Sequence, residues 1–342
     1  MLRTRGDAVI VEVAAGSDAH GDAAIRSLRA ALDPVAVQDA FGEMFAERRE
    51  ASPTLRSIVV RRHKPGRRCL VAYECTSNDG TGEVMTILGK VRAKGADERA
   101  HSLQRLLWRN GFGPTSDDGV YVPEPLGVAP ALGMWCQRHV PGALDVALLA
   151  GRQGPTMASH VAEAIHKLHR SSVAVARIHT AADELTILTK RLHALADERP
   201  NWASRLDRLL RGCRALHASF EVPQACVIHR DFYHDQVLVH GADVYLIDLD
   251  LCARGDPGVD VGNFVAHLVE AAVRIHGDPE ALDRPAAAFV ERYVELAGPR
   301  VRSSIEAHVT LALARHVQIS ASMPDRAHCT EGLLALTEER LA

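Results

Sequence analysis

The chain has 342 residues, 47% hydrophobic and 24% charged, which gives enough apolar material for real cores and excludes a wholly disordered chain. Its 40 Lys and Arg against 43 Asp and Glu leave a formal charge of −3, so no basic field points to nucleic acid or an anionic membrane as a partner. Aromatic residues, at 4%, are too few for a base-stacking platform.

The length fits two domains or one large bilobal unit. Residues 1–50 read as an N-terminal extension with a weak opening strand and a helix, whose start is marked by Asp33 as N-cap and Pro34 at the first helical position. The apolar stretch Ala8–Val13 is short and broken by Glu12, unlike a signal peptide. Residues 51–140 are sheet-rich. Strands are expected at 57–60, 68–75 and 84–88, separated by the turn residues Lys64-Pro65-Gly66 and Asn78-Asp79-Gly80, as antiparallel hairpins require. A helix from Asp97 to Arg109 stops at Gly111, and two further strands are expected at 125–128 and 134–140.

From 141 to 342 helical periodicity dominates, at about 154–171, 180–197, 200–219, 260–276, 279–297, 301–321 and 325–341, with one short strand pair near 236–249. No apolar run is long enough to span a bilayer. The seven cysteines are scattered and form no C-x-x-C pair, a pattern that fits buried reduced thiols and a cytoplasmic location.

The chemistry concentrates in Val227-Ile228-His229-Arg230-Asp231-Phe232-Tyr233-His234-Asp235-Gln236-Val237-Leu238-Val239. An apolar run leads in, a polar loop follows, and a strand leads out. A second apolar strand, Val244-Tyr245-Leu246-Ile247, ends at Asp248-Leu249-Asp250. The turn Gly241-Ala242-Asp243 makes the two strands a hairpin and brings the Asp231 loop, Gln236 and Asp248 near one another. Two carboxylates and an amide oxygen form a hard-oxygen site suited to Mg²⁺ and phosphate chemistry.

His229-x-Asp231-x-x-x-x-Gln236, then Ile247-Asp248, then Gly255-Asp256-Pro257-x-x-Asp260 resembles the signature of the aminoglycoside phosphotransferase and choline kinase-like small-molecule kinases. The resemblance is carried mainly by residues 226–264, less by 56–142, and does not reach 1–50. It implies an α+β, bilobal protein-kinase-like fold, with a small antiparallel-sheet N-lobe over 51–140 and a larger, mainly helical C-lobe over 141–342. It also implies that Asp231 is the catalytic base on the acceptor hydroxyl, that Gln236 and Asp248 hold Mg²⁺, that His229 braces the loop, and that Asp260 hydrogen-bonds it. Two positions depart from the family's pattern, which usually has Asn at 236 and commonly Gly at 230. Gln still supplies an amide oxygen, and maltokinase-like members resemble this choice.

On the same resemblance the front lobe supplies ATP binding. No P-loop is present. The hairpin Arg62–Arg68, with Gly66 for close backbone approach and Arg67 for charge, sits where this fold covers the phosphates; an exposed basic hairpin is the alternative. Lys90 matches by position the lysine that pairs the α- and β-phosphates. Glu98 and Asp97 are candidate partners for it, or simply first-turn acids. The segment Gln137 to His139 resembles the hinge whose backbone reads the adenine edge.

The expected activity is therefore ATP- and Mg²⁺-dependent phosphoryl transfer to a hydroxyl of an aminoglycoside-, sugar- or amino-alcohol-like molecule, with no nucleic acid or membrane partner. Two readings compete. One is a catalytically degenerate kinase-like binding module, since Gln236 departs from the pattern. The other is a metal-dependent hydrolase with His229, Asp231, His234 and His240 as ligands. Acids after residue 260, among them Glu270, Asp278, Glu291 and Glu295, either attract a cationic acceptor or form ordinary solvated faces.

Overall fold

A computed structural model describes residues 9–13, 21–219 and 223–342. By compactness the described chain divides into two units. One takes in residues up to Ser116 together with Tyr121–Pro141, the other Asp117–Val120 and Gly142–Ala342.

In the first unit, β1 (Ile10–Val13) is followed by a single helical turn, α1 (Leu28–Ala31), and by α2 (Pro34–Arg48). Asp33 caps α2 as its sequence predicts: its Oδ1 accepts from the amides of Val35 at 2.9 Å and Ala36 at 3.0 Å. Then come β2 (Thr54–Lys64), β3 (Arg68–Thr76), β4 (Val84–Arg92) and α3 (Glu98–Leu107). The short β5 (Val120–Tyr121) falls where the chain crosses between units; β6 (Pro125–Ala129) and β7 (Met134–Arg138) complete the sheet. Its strand order is β1-β2-β3-β4-β7-β6.

Every neighbouring pair is antiparallel except β1, which runs parallel to β2 in the register Ile10↔Ser57 to Val13↔Val60. The sheet is thus mixed, and residues between Ile25 and Phe45 share its core. Ile25, Leu28, Phe41, Met44 and Phe45 are buried with Ile58, Val71, Tyr73, Ile87 and Met134 in one cluster. Tyr73 fixes the layers, donating its hydroxyl to the Ala31 carbonyl at 2.9 Å with its ring edge-on to Phe41.

The second unit is mainly helical: α4 (Val146–Ala150), α5 (Gly154–Arg170), α6 (Ala181–Glu198) and α7 (Ala203–Ser219) precede four short strands. These are β8 (Cys226–Ile228), β9 (Val237–His240), β10 (Asp243–Leu246) and β11 (Ala253–Gly255), after which α8 (Gly258–His276), α9 (Asp283–Ala297), α10 (Arg302–Ala321) and α11 (Thr330–Glu339) close the chain. Helix α5 packs on α9 and α8 on α10. The α8–α10 approach needs Gly262, because a Cβ there would stand 2.6 Å from His308. Phe264 and Phe289 stack at 4.2 Å between centroids, with Phe232 against Phe264 at 5.5 Å, so an aromatic core underlies the polar loop.

All seven cysteines are free, and all but Cys226 are buried. Burial raises the thiols of Cys69 to about 11 and Cys75 to about 12. Among the described residues no helix is long and apolar enough to cross a membrane.

Candidate active site

The loop 229–236 is gripped at both ends by strand pairs. Upstream, β8 pairs with β11 in the register Ile228↔Ala253. Downstream, β9 pairs with β10 in the register Val237↔Leu246, and the Ile247 amide extends that ladder to the Gln236 carbonyl at 3.0 Å. Residue 236 therefore faces 247, and Gln236 and Asp248 lie at one end of the hairpin, as the spacing predicts.

Within the loop the chain turns sharply at Arg230, which has φ 72°. Both flanking amides are held by one carboxylate. Asp260, fully buried in the first turn of α8, accepts from His229 N through Oδ2 and from Arg230 N through Oδ1, each at 2.6 Å. The His229 ring reaches across to the Ile247 carbonyl, Nε2 to O 2.8 Å, tying the loop to the strand that delivers Asp248. Asn263, one turn beyond Asp260 on α8, donates Nδ2 to the Phe232 carbonyl at 2.8 Å, and Arg315 holds the Asn263 oxygen. His229, Arg230 and Phe232 are thus pinned through their backbone, which leaves the Asp231 side chain positioned without being used as a fastener. Asp248 is itself left-handed, at φ 57° and ψ 44°. Non-glycine residues adopt that region rarely, and such positions concentrate at functional sites.

Around Asp231 the charges are mixed. Its carboxylate acts on the Arg191 guanidinium of α6, whose Nη1 donates to Gln318 at 2.9 Å. Glu184 on the same helix accepts from His179 at 2.5 Å and stands 3.5 Å from Arg315. Burial works to raise the Glu184 carboxyl, but His179 and Arg315 outweigh it and hold it down at about 2.

In the first unit Lys90, on β4, lies opposite Trp135 and places Nζ 4.8 Å from the indole centroid. Of the two acids weighed as its partner, Asp97 caps α3 and pairs with Arg92 at 3.2 Å, while Glu98 is exposed. The buried face of α3 carries Ala100, Gln104 and Leu107 and no acid. Gly66 has the positive φ, 68°, that its hairpin turn requires, but its amide already donates to Asp22 Oδ2 at 2.8 Å. His63 meets the same oxygen at 2.8 Å, and these contacts lower the Asp22 carboxyl. The Arg67 side chain is exposed.

At the hinge segment, the Gln137 side chain is buried and accepts from Gln104 at 3.2 Å. The amides of Arg138 and His139 are committed to the Glu124 and Thr86 carbonyls, each at 2.8 Å; that of Val140 donates to no group among the described residues.

The His and Asp ligands of a hydrolase are not assembled. His229 Nε2 is engaged by a carbonyl, His240 ends β9 in an exposed position, and His234 belongs to another group. Among the described residues no set of three or more His, Cys, Asp or Glu side chains is placed to hold a metal. His234 lies beside His267, which stacks on Tyr233 at 4.2 Å and meets His316 edge-on at 4.4 Å. Asp256 is structural, accepting from Gly258 N and from Ser304 Oγ, both at 2.7 Å. Of the acids after residue 260, Glu270, Glu291 and Glu295 pair with Arg274, Arg302 and Arg292, while Asp278 is exposed.

Sequence reasoning misses His169 and Tyr293. His169 donates or accepts through Nε2 at 3.0 Å from Asp260 Oδ2 and through Nδ1 at 2.7 Å from the Tyr293 hydroxyl. The partners are 91 and 124 residues away, and no local pattern announces such pairs.

With this geometry in view, the chain was compared with known proteins. A sequence model of the phosphotransferase enzyme family, APH, matches residues 80–305. A search of curated proteins returned no match. Among solved structures, a choline kinase from Cryptosporidium parvum aligns with TM-score 0.54 at 12% identity, covering 83% of this chain and 88% of its own. A thermostable aminoglycoside phosphotransferase APH(4)-Ia variant, bound to ADP and hygromycin B, aligns with TM-score 0.54 at 14% identity over 89% of this chain and 97% of its own. A spectinomycin phosphotransferase with ADP and spectinomycin gives TM-score 0.51 at 12% identity over 87% and 93%. At these identities the likeness is one of fold, and the fold is the protein-kinase-like one.

Proposed function

Because the chain belongs to the phosphotransferase enzyme family, as a small-molecule kinase, we propose that it transfers the γ-phosphoryl group of ATP, with Mg²⁺, to a hydroxyl of an aminoglycoside-, sugar- or amino-alcohol-like acceptor. The observation that carries this reading is the double hold of Asp260 on the His229 and Arg230 amides, which fixes the loop bearing Asp231 beside the hairpin bearing Gln236 and Asp248. Fixed positioning is what phosphoryl transfer asks of a protein.

In this reading Asp231 orients the acceptor hydroxyl and takes its proton as the oxygen attacks the γ-phosphorus in line. Lys90 positions the α- and β-phosphates from β4. The free Val140 amide, with carbonyls of the 137–139 segment, meets the adenine edge. Gln236 and Asp248 offer an amide and a carboxylate oxygen, the hard donors that suit Mg²⁺. When bound there, the ion neutralises charge on the phosphates. His229 and Asp260 position the loop and touch no reactant.

The test is ADP release by the full chain with ATP and Mg²⁺ across panels of aminoglycosides, macrolides, sugars and amino alcohols, alongside calorimetry of ATP binding. The expected result is ATP binding and acceptor-dependent ADP release. Failure to bind any nucleotide with Mg²⁺ or Mn²⁺ overturns the reading. Nucleotide binding with no acceptor turned over favours the degenerate module instead.

A further inference from the structure

On the second unit, a cavity of about 530 Å³ lies between the end of α5, the strands β8 and β11, and the segment after α9. Among the described residues its lining includes Arg170, Arg254 and Arg300, together with His169 and Ser171, and no Asp or Glu. None of the three arginines has a carboxylate partner among the described residues; Arg254 donates from Nη2 to the Ala225 carbonyl at 2.9 Å. Elsewhere in the second unit Arg205, Arg274, Arg292, Arg302, Arg315 and Arg326 each face a glutamate. The Ser171 hydroxyl, buried at the same wall, also lacks a hydrogen-bond partner among the described residues.

Three guanidiniums without carboxylates around one concavity give it a positive potential that favours an anion, and the guanidinium fork matches phosphate and carboxylate oxygens. The volume exceeds what a lone phosphate fills and falls in the range of small-metabolite sites. We propose that this cavity binds a small polyanion, a molecule carrying two or more phosphate or carboxylate groups, held by Arg170, Arg254 and Arg300.

The location gives such a ligand a route to the loop. His169 lines the cavity and contacts Asp260, which holds the His229 and Arg230 amides. Cys226 and Val227, on the strand that enters the loop, line it as well.

The test is calorimetric titration of the full chain, without metal, using pyrophosphate and separately citrate, repeated on the double variant Arg170→Ala/Arg300→Ala and on Arg254→Lys. Arg170 and Arg300 are exposed, so the double variant is expected to fold, and an unchanged melting temperature checks that. The expected result is binding of at least one anion, weakened tenfold or more in the double variant and less in Arg254→Lys, which keeps the charge. Preference for pyrophosphate assigns phosphate groups to the ligand, and preference for citrate assigns carboxylates. No binding of either anion overturns the proposal. So does binding unchanged in the double variant, since pyrophosphate held at the Asp231 site does not need these arginines.

Discussion

Arg230 holds a left-handed backbone, φ 72°, while donating its amide to Asp260 Oδ1 at 2.6 Å. An L-residue in that region carries a cost of about 1–3 kcal/mol, and the buried carboxylate is what keeps it there. Glycine adopts the conformation freely and loses roughly 0.5–1 kcal/mol through its looser unfolded chain. Arg230→Gly should therefore match the parent's stability or exceed it by up to about 2 kcal/mol, whereas Arg230→Val, β-branched at positive φ, should cost about 2 kcal/mol or more. Urea midpoints of the three proteins decide it; a stable valine variant would mean that the backbone at 230 is not constrained.

Asp231→Asn should lower kcat by about 10²–10⁴ while leaving nucleotide affinity nearly unchanged, because a general base acts in the transition state. The variant keeps the shape of the side chain and the loop's backbone bonds, none of which the Asp231 carboxylate makes. Steady-state turnover and calorimetry separate the two effects. Full turnover in the Asn variant would take Asp231 out of the role.

Gln236 carries one methylene more than the Asn usual at its position, and its backbone is fixed by bonds to Tyr233 O at 2.9 Å and Ile247 N at 3.0 Å. Mg²⁺ accepts ligand oxygens only near 2.0–2.1 Å, roughly. Gln236→Asn should thus fail to improve the metal requirement, and Gln236→Ala should raise the Mg²⁺ concentration needed for half-maximal ATP turnover. An unchanged requirement in the Ala variant would show that the side chain is not a ligand.

Buried His316 has two ring nitrogens without hydrogen-bond partners among the described residues, and burial, aided by Arg315 and Arg326, pushes its pKa down to about 3. It stays neutral in the fold but is protonated in the unfolded chain below about pH 6.5. The fold therefore loses stability as pH falls from about 6.5 toward 3, at roughly 1.4 kcal/mol per pH unit from this residue. His316→Phe removes that dependence. Relative to its difference near neutral pH, the variant should gain about 2 kcal/mol by about pH 5. Comparing the two pH values cancels any change in packing, and parallel stability curves for both proteins would contradict the assignment.

Local signals carried much of this protein. The Asp33-Pro34 start of α2, the turn at 241–243 and the register that sets Gln236 against Ile247 all follow from neighbours in sequence. The positive φ at 230 agrees with the Gly common there in the family, although this chain has Arg. What stayed hidden depends on distant partners. The parallel pairing of β1 with β2 needs a crossover whose helices offer no strand signal. The commitment of the Arg138 and His139 amides becomes visible only when β4 and β6 are laid on either side of β7. Asp22, His169 and Tyr293 stand 41 to 124 residues from the groups they hold, beyond the reach of any periodicity.

The contact between Asp22 and the Gly66 amide sets a competition. A phosphate oxygen seeking that amide must displace a tethered carboxylate whose effective concentration is on the order of millimolar or more, and it gains only the difference between the two bonds. His63 on the same oxygen strengthens the incumbent. The turn thus behaves toward an incoming anion as a stiff wall, with its glycine amide occupied in advance, and the exposed Arg67 side chain is a part still open to negative charge. Ordering the hairpin before any ligand arrives also removes the entropy that a loose flap would lose on closing.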